Sequence, residues 1–159
     1  MKEGVGGTFM IYVFLVFLAI YITFVAVAFN YARAFRVKNR VIDLIEQNEG
    51  ITNYENTSGV MGEIESYLKE VSYNVMSNAG NSPSISVDDC PDFDEGDVNH
   101  YFNSNRGYCI SRYNSTSSVD DISASYYKVT TFIRLEIPFL KLGFTIPVTG
   151  ETRRIERIS

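Results

Sequence analysis

The chain has 159 residues, room for about one domain of ordinary size beyond any membrane segment. Its Lys and Arg number 14 against 19 Asp and Glu, for a net charge of -5 and a pI near 4.9. That balance excludes a basic nucleic-acid surface of the usual kind, because phosphate contact needs clustered cations on the folded domain.

Apolar residues are concentrated in the first thirty positions. Residues 1–7, MKEGVGG, read as a short leader or cytoplasmic N-terminus. From Thr8 to Phe29 the run TFMIYVFLVFLAIYITFVAVAF contains no charge, Pro or Gly, and as a helix it measures about 33 Å, enough to cross a bilayer. A cleaved secretory signal would show a shorter apolar core followed by small residues. A buried helix of a water-soluble protein rarely stays apolar on every face for so long. Residues 8–29 therefore read as a transmembrane helix, in which Ala19, Ala26 and Ala28 are small enough for close helix packing. Arg33, Arg36, Lys38 and Arg40 follow as a membrane-surface basic cluster suited to lipid headgroups. By the loop-charge rule alone, that flank favours a cytoplasmic C-terminal domain.

Residues 30–50 continue as an amphipathic helix, with Val37, Val41, Leu44 and Ile45 on one face and Phe35 and Ile42 beside it. Asn48 and Gly50 suit its end, Gly being free to take the left-handed conformation. Residues 51–159 read as an α+β domain. A loop, ITNYENTS, precedes a second amphipathic helix of about 17 residues, in which Val60, Ile64, Tyr67, Leu68, Val71 and Val75 recur at helical spacing behind Thr57 and Ser58 as candidate caps. From Ser77 to Ser123 the chain is loop-like, with short strands near Ser84 to Val87 and Gly107 to Tyr113. In SYYKVTTFIRLEIPF, Tyr127, Val129, Thr131, Ile133, Leu135 and Ile137 alternate with other residues, predicting a strand with one buried face. A turn around Leu140 to Gly143 leads to an antiparallel partner carrying Phe144, Ile146 and Val148, with Gly150 as a bulge or phase change. Pro138 and Pro147 belong at an edge or a bulge.

Cys90 and Cys109 flank an acidic, loop-rich stretch. A bridge there would close about 20 residues and stabilise by roughly 3 kcal/mol in the chain-entropy picture; buried free thiols, or a metal or redox role, are the alternatives. Asp92, Asp94 and Asp97 offer hard oxygens to calcium, yet Gly96 falls one position early for an EF-hand loop, and a plain solvated loop is the better reading of them. His100 reads as a solvated loop histidine. Tyr101, Tyr108, Tyr113, Tyr126 and Tyr127 read as core aromatics of a small sheet, with an interface as the alternative. No nucleophile-and-base pair, paired carboxylates or phosphate-cradling loop stands out, so neither an enzyme nor a cofactor is expected.

Three stretches together carry a likeness: the start MKEGVGG before the apolar run, RVKNRVIDLIEQNEGIT, and the ending YYKVTTFIRLEIPFLKLGFTIPVTGETRRI. They resemble TadE-like, tight-adherence-type pilin-like proteins, small membrane-anchored proteins of Gram-positive bacteria, over most of the chain. The resemblance implies a pilin-like fold with its domain outside the cytoplasm. It also implies cleavage by a prepilin peptidase between Gly7 and Thr8, and other pilin-like or secretion-assembly subunits as partners. The family's membrane-embedded Glu would fall five residues into the mature helix, where this chain has Tyr12. The expected function is a non-enzymatic structural or accessory subunit of a pilus or secretion assembly. The alternative is a monomeric, signal-anchored extracytoplasmic module that binds a partner through the Cys90 to Cys109 loop.

Overall fold

A computed structural model describes residues 3–54, 59–73, 85–91, 99–116, 123–137 and 142–157. The elements are α1 (Glu3–Gln47), α2 (Val60–Glu70), a 3-10 turn (Val87–Asp89), β1 (Asn99–Asn103), β2 (Tyr108–Thr116), β3 (Ser123–Ile137), β4 (Leu142–Glu151) and β5 (Ile155–Arg157). The class is α+β: two helices and one antiparallel sheet in the order β1-β2-β3-β4, with β5 also on β3.

The length of α1, 45 residues, follows from what it lacks. With no Pro and no Gly between Gly7 and Gly50, nothing interrupts the backbone ladder over about 68 Å. Its first half is bare: Phe9, Phe14, Phe17, Phe24 and Phe29 are each more than 60% exposed. The second half turns a stripe of Ala34, Val37, Val41, Leu44 and Ile45 into the core, the i, i+3, i+4, i+7 spacing placing them on one side. The helix closes with a Schellman arrangement, in which the Gly50 N–H donates to the Ile45 carbonyl at 2.9 Å and the Glu49 N–H to that of Glu46 at 3.3 Å. Glu49 is the left-handed residue, φ 55°, and Gly50 follows at φ 105°. At Gly50 a Cβ would stand 2.6 Å from the Tyr127 hydroxyl, which accepts the Ile51 N–H at 2.9 Å.

β3 runs antiparallel to α1. Tyr127 meets the helix end at Ile51, Gly150 (opposite Val129) lies under Ile42 and Lys38, and Thr131 donates to the Ala34 carbonyl at 3.3 Å. The hydrophobic core lies between the second half of α1, the Met61, Ile64 and Leu68 face of α2, and the Tyr108, Ile110, Val129 side of the sheet.

Several expectations need correcting. Gly150 is no bulge; it pairs regularly with Val129 and is small because α1 crosses there, a Cβ falling 2.9 Å from Ile42 Cδ1 and from the Lys38 stem. The phase change comes next, where Tyr126 and Tyr127 on β3 stand opposite Thr152, Arg153 and Arg154 before Ser125 pairs with Ile155. β3 buries both faces, since Thr130 and Phe132 are as enclosed as Val129 and Thr131. Of the strand expected near Ser84 to Val87, Ser84 lies outside the described residues, and Ile85 and Ser86 lead instead into the 3-10 turn, where the Ser86 N–H is held by Asp89 at 2.8 Å. α2 has 11 residues rather than about 17, because Ser72 takes φ 50° and the chain turns away. Thr57 and Ser58 lie outside the described residues, as does Pro138; the N-cap is Gly59. Pro147 lies, as expected, on an edge strand, β4, opposite Phe132.

Gly50→Ala combines a left-handed φ with a collision against Tyr127, and unfolding in detergent should show a loss of about 2 kcal/mol or more. Gly150→Ala meets only side-chain ends and should cost less than half as much; equal losses at the two sites would contradict this account of the helix end.

Candidate membrane anchor and its junction with the domain

Within Gly7–Gln47 the most apolar stretch has none of its residues buried. By length and composition this helix can span a membrane. Thr23, a hydroxyl within it, donates to the Ala19 carbonyl at 2.9 Å, so its polar group needs no other partner in lipid. At 100° per residue Ala19 and Ala26 share a face while Ala28 is on the opposite one, so the three alanines do not form a single packing stripe. Gly7 and Thr8 are in the first turns of α1. A Cβ on Gly7 would meet nothing within 4 Å.

At the end of the bare half, Arg33 changes the surroundings. Its Nη2 donates to the Val71 carbonyl at 2.6 Å and the Ser72 carbonyl at 2.7 Å. A cation there satisfies carbonyls left free at the C-terminus of α2 and complements its dipole. The very next residue, Ala34, is fully buried. The other basic residues separate. Lys38 is buried, its stem packed over Gly150 and its Nζ 4.3 Å from the centre of the Phe35 ring. Arg36 and Arg40 are exposed, and Arg40 borders an open groove of about 570 Å³ that it shares with Leu44, Gly59, Glu63, Tyr67 and Glu70. The four residues that read as one headgroup cluster thus have three different environments.

Two further polar clusters join the elements, one inside the domain and one between the domain and α1. Glu65 on α2 accepts from Asn103 Nδ2 at 2.8 Å, the Tyr108 hydroxyl at 2.7 Å and Arg106 Nε at 2.8 Å, and so ties α2 to the β1–β2 hairpin. Glu46 near the end of α1 accepts from the Arg153 backbone N–H at 2.7 Å and its Nε at 3.0 Å, gripping the irregular link between β4 and β5. Sequence reasoning missed both carboxylates. Each belongs to a helix whose partner lies far along the chain, and only the polar position on an amphipathic helix marked it.

On the face of the sheet away from α1, Cys90 and Cys109 form a disulfide. Alternation along β2 directs Cys109 opposite to Tyr108, whose hydroxyl reaches α2. The bridge therefore fastens the 3-10 turn to the outer side of the sheet. His100 is also here, on strand β1 rather than in a loop, half-buried with Nδ1 3.1 Å from the Ser111 hydroxyl. Ser111 is 3% exposed, a poor position for a nucleophile that must meet substrate. Tyr101, Tyr108 and Tyr127 are on the helix side, whereas Tyr113 and Tyr126 stack at 4.9 Å on the other. Asp92, Asp94 and Asp97 lie outside the described residues, and among the described residues no group of three potential ligands could hold a metal.

No family model, no curated protein and no solved structure matches this chain.

Burial raises the pKa values of three phenols: Tyr108, whose hydrogen bond to Glu65 adds to the effect; Tyr54, where Tyr127 adds to it; and Tyr73, pushed up to about 12. The Tyr73 hydroxyl donates to the Phe132 carbonyl at 2.7 Å. Because the fold favours the neutral phenol, this contribution is fully present below the ordinary value of 10 and declines as pH rises beyond it. A spectrophotometric alkaline titration should show part of the phenolate signal appearing only together with unfolding, above that pH; independent titration of every tyrosine near its ordinary value would contradict this.

Proposed function

We propose that the chain is a single-pass, membrane-anchored, non-enzymatic subunit, pilin-like in layout, whose domain lies outside the cytoplasm in a surface or secretion assembly. One observation carries the reading: α1 is a single helix whose first half leaves an uncharged apolar surface bare and whose second half is built into a folded domain. In water, that bare surface would be a severe aggregation liability; in a bilayer it is the stable state.

The disulfide supports the extracytoplasmic side, since such bonds persist in oxidising compartments. It also outweighs the basic flank as an indicator of orientation. Arg33 is committed to carbonyls of α2 and Lys38 is buried, which leaves fewer cations free to hold the flank in the cytoplasm. A structural rather than catalytic role is favoured by how the polar groups are used: Glu65, Glu46 and Arg33 all hold one element to another.

Expression in a Gram-positive host tests this. The protein should stay with membranes through alkaline carbonate extraction, and protease added to intact protoplasts should digest the domain. Intact mass should show a reducible bridge and the loss of Met1 to Gly7. A protease-resistant domain with reduced thiols would place it in the cytoplasm and overturn the reading. An uncut N-terminus with correct topology would retain the anchor and refute processing.

A further inference from the structure

Among the described residues Lys38 is the only charged side chain in the buried set, at 8% exposure. A cation held this deeply is ordinarily paired, because taking an unpaired charge out of water is costly. The ion pairs of the described residues join Arg106 to Glu65 and Arg153 to Glu46, and Lys38 belongs to neither. Its ammonium has one partner among the described residues, the Phe35 ring, whose centre is 4.3 Å from Nζ. Nor is that ammonium sealed in, since Nζ is not one of the enclosed side-chain atoms that lack a hydrogen bond. It opens to the surface beside Phe35.

The packing aims it. The stem lies across Gly150, with Cδ and Cε 2.9 Å from where a Cβ would stand, and from there it runs back to the level of Phe35, toward the apolar half of α1. Tyr31, Phe35, Lys38 and Ile42 are spaced i, i+4, i+7 and i+11 and share one face of the helix, the face toward β4. Tyr31 and Phe35 stack with ring centres 6.5 Å apart and are 52% and 44% exposed. β4 runs in the direction of α1, and Ile146, two residues nearer the apolar half than Val148, is exposed as well. Arg36 and Arg40 stand about 160° around the helix from Lys38, and Arg33 is occupied with α2.

Height selects the ligand. Tyr31 and Phe35 are two and six residues past Phe29, about 3 and 9 Å along the helix. Where the apolar run fills the hydrocarbon, a headgroup layer about 5–7 Å deep follows on each side. The two rings span that layer as interfacial aromatics do, and the ammonium sits at its outer limit, among lipid phosphates. A zwitterionic lipid brings its own cation to the phosphate, whereas an anionic one leaves a charge for Lys38 to neutralise.

We infer that Lys38 Nζ, with the Tyr31 and Phe35 rings below it, is a binding site for the phosphate of one anionic phospholipid in the leaflet next to the domain. The ammonium donates to a phosphate oxygen, and the rings cover the glycerol and the first acyl carbons. This is one built site rather than a band of cations.

The inference rests on the membrane reading of α1, and the test separates the two. Flotation of the protein with vesicles of phosphatidylcholine alone reads the anchor. Native mass spectrometry of the detergent-solubilised protein then compares retained phosphatidylglycerol with phosphatidylcholine of the same acyl chains. The expected result is one phosphatidylglycerol held with a preference of about fivefold or more, the scale of a single cation at an anionic surface. Lys38→Met, which keeps an apolar stem over Gly150, should abolish the preference. The pair Tyr31→Leu and Phe35→Leu, at exposed positions, should weaken it, and decides the matter should the Lys38→Met chain fail to fold. The pair Arg36→Gln and Arg40→Gln should leave it intact; an equal loss there would mean diffuse attraction and overturn the proposal. Equal retention of both lipids by a protein that floats would refute the site and keep the anchor. A protein left behind by the vesicles would remove the membrane reading and the site with it. Displacement of the lipid by millimolar glycerol phosphate would assign the site to a soluble phosphate, and would also overturn the proposal.

Discussion

Everything in this molecule depends on the packing of one helical stripe, Ala34 to Ile45, against one strand, β3. The helix that carries the stripe is the same unbroken helix that carries the bare apolar half. Burial of the stripe therefore fixes the domain and the apolar span in a single geometry. No hinge residue lies between them, because neither Gly nor Pro occurs from Thr8 to Glu49. The close approach is made by small or flexible groups: Gly150 under Ile42 and the Lys38 stem, and the Ala34 carbonyl on the Thr131 hydroxyl.

The polar groups act in support of this packing. Arg33 closes the free end of α2 where the bare helix becomes the docked one. Glu46 and the Tyr127 hydroxyl do the same at the other end, holding the bulged link and the Ile51 N–H. Such hydrogen bonds each contribute modestly, about 1 kcal/mol net for a neutral pair and more where a charge is involved. Losing one partner costs more than the bond is worth, because the other is left buried and unsatisfied. Their main effect is on geometry: they fix the angle between the domain and the apolar half of α1.

Where burial and periodicity coincide, the sequence was legible. Val37, Val41, Leu44 and Ile45 announced the docked face of α1 by their spacing; the alternation from Tyr127 onward announced β3 as a strand, but not that Thr130 and Phe132 are buried on its other face. Strands of three and five residues, β5 and β1, are too short to show a period, and β1 was hidden further by His100 and its polar neighbours. Glu65 could not be found at all from spacing, since Arg106, its charged partner, is 41 positions away. Lys38 misled in the opposite direction. A cation beside a membrane span reads as solvated, yet its long apolar stem is buried against Gly150. Gly150 misled for a related reason: a glycine in a strand signals either a bulge or a close approach, and only the position of α1 distinguishes them.

The central claim is that α1 is one continuous element shared by the apolar span and the domain. Amide hydrogen exchange on the protein reconstituted in vesicles tests it most directly, read residue by residue across Phe29 to Val37. Unbroken protection from the apolar run into the docked stripe is the predicted result. A patch of fast exchange around Tyr31 to Ala34 would contradict it, and would mean that the anchor and the domain are separate bodies joined by a hinge.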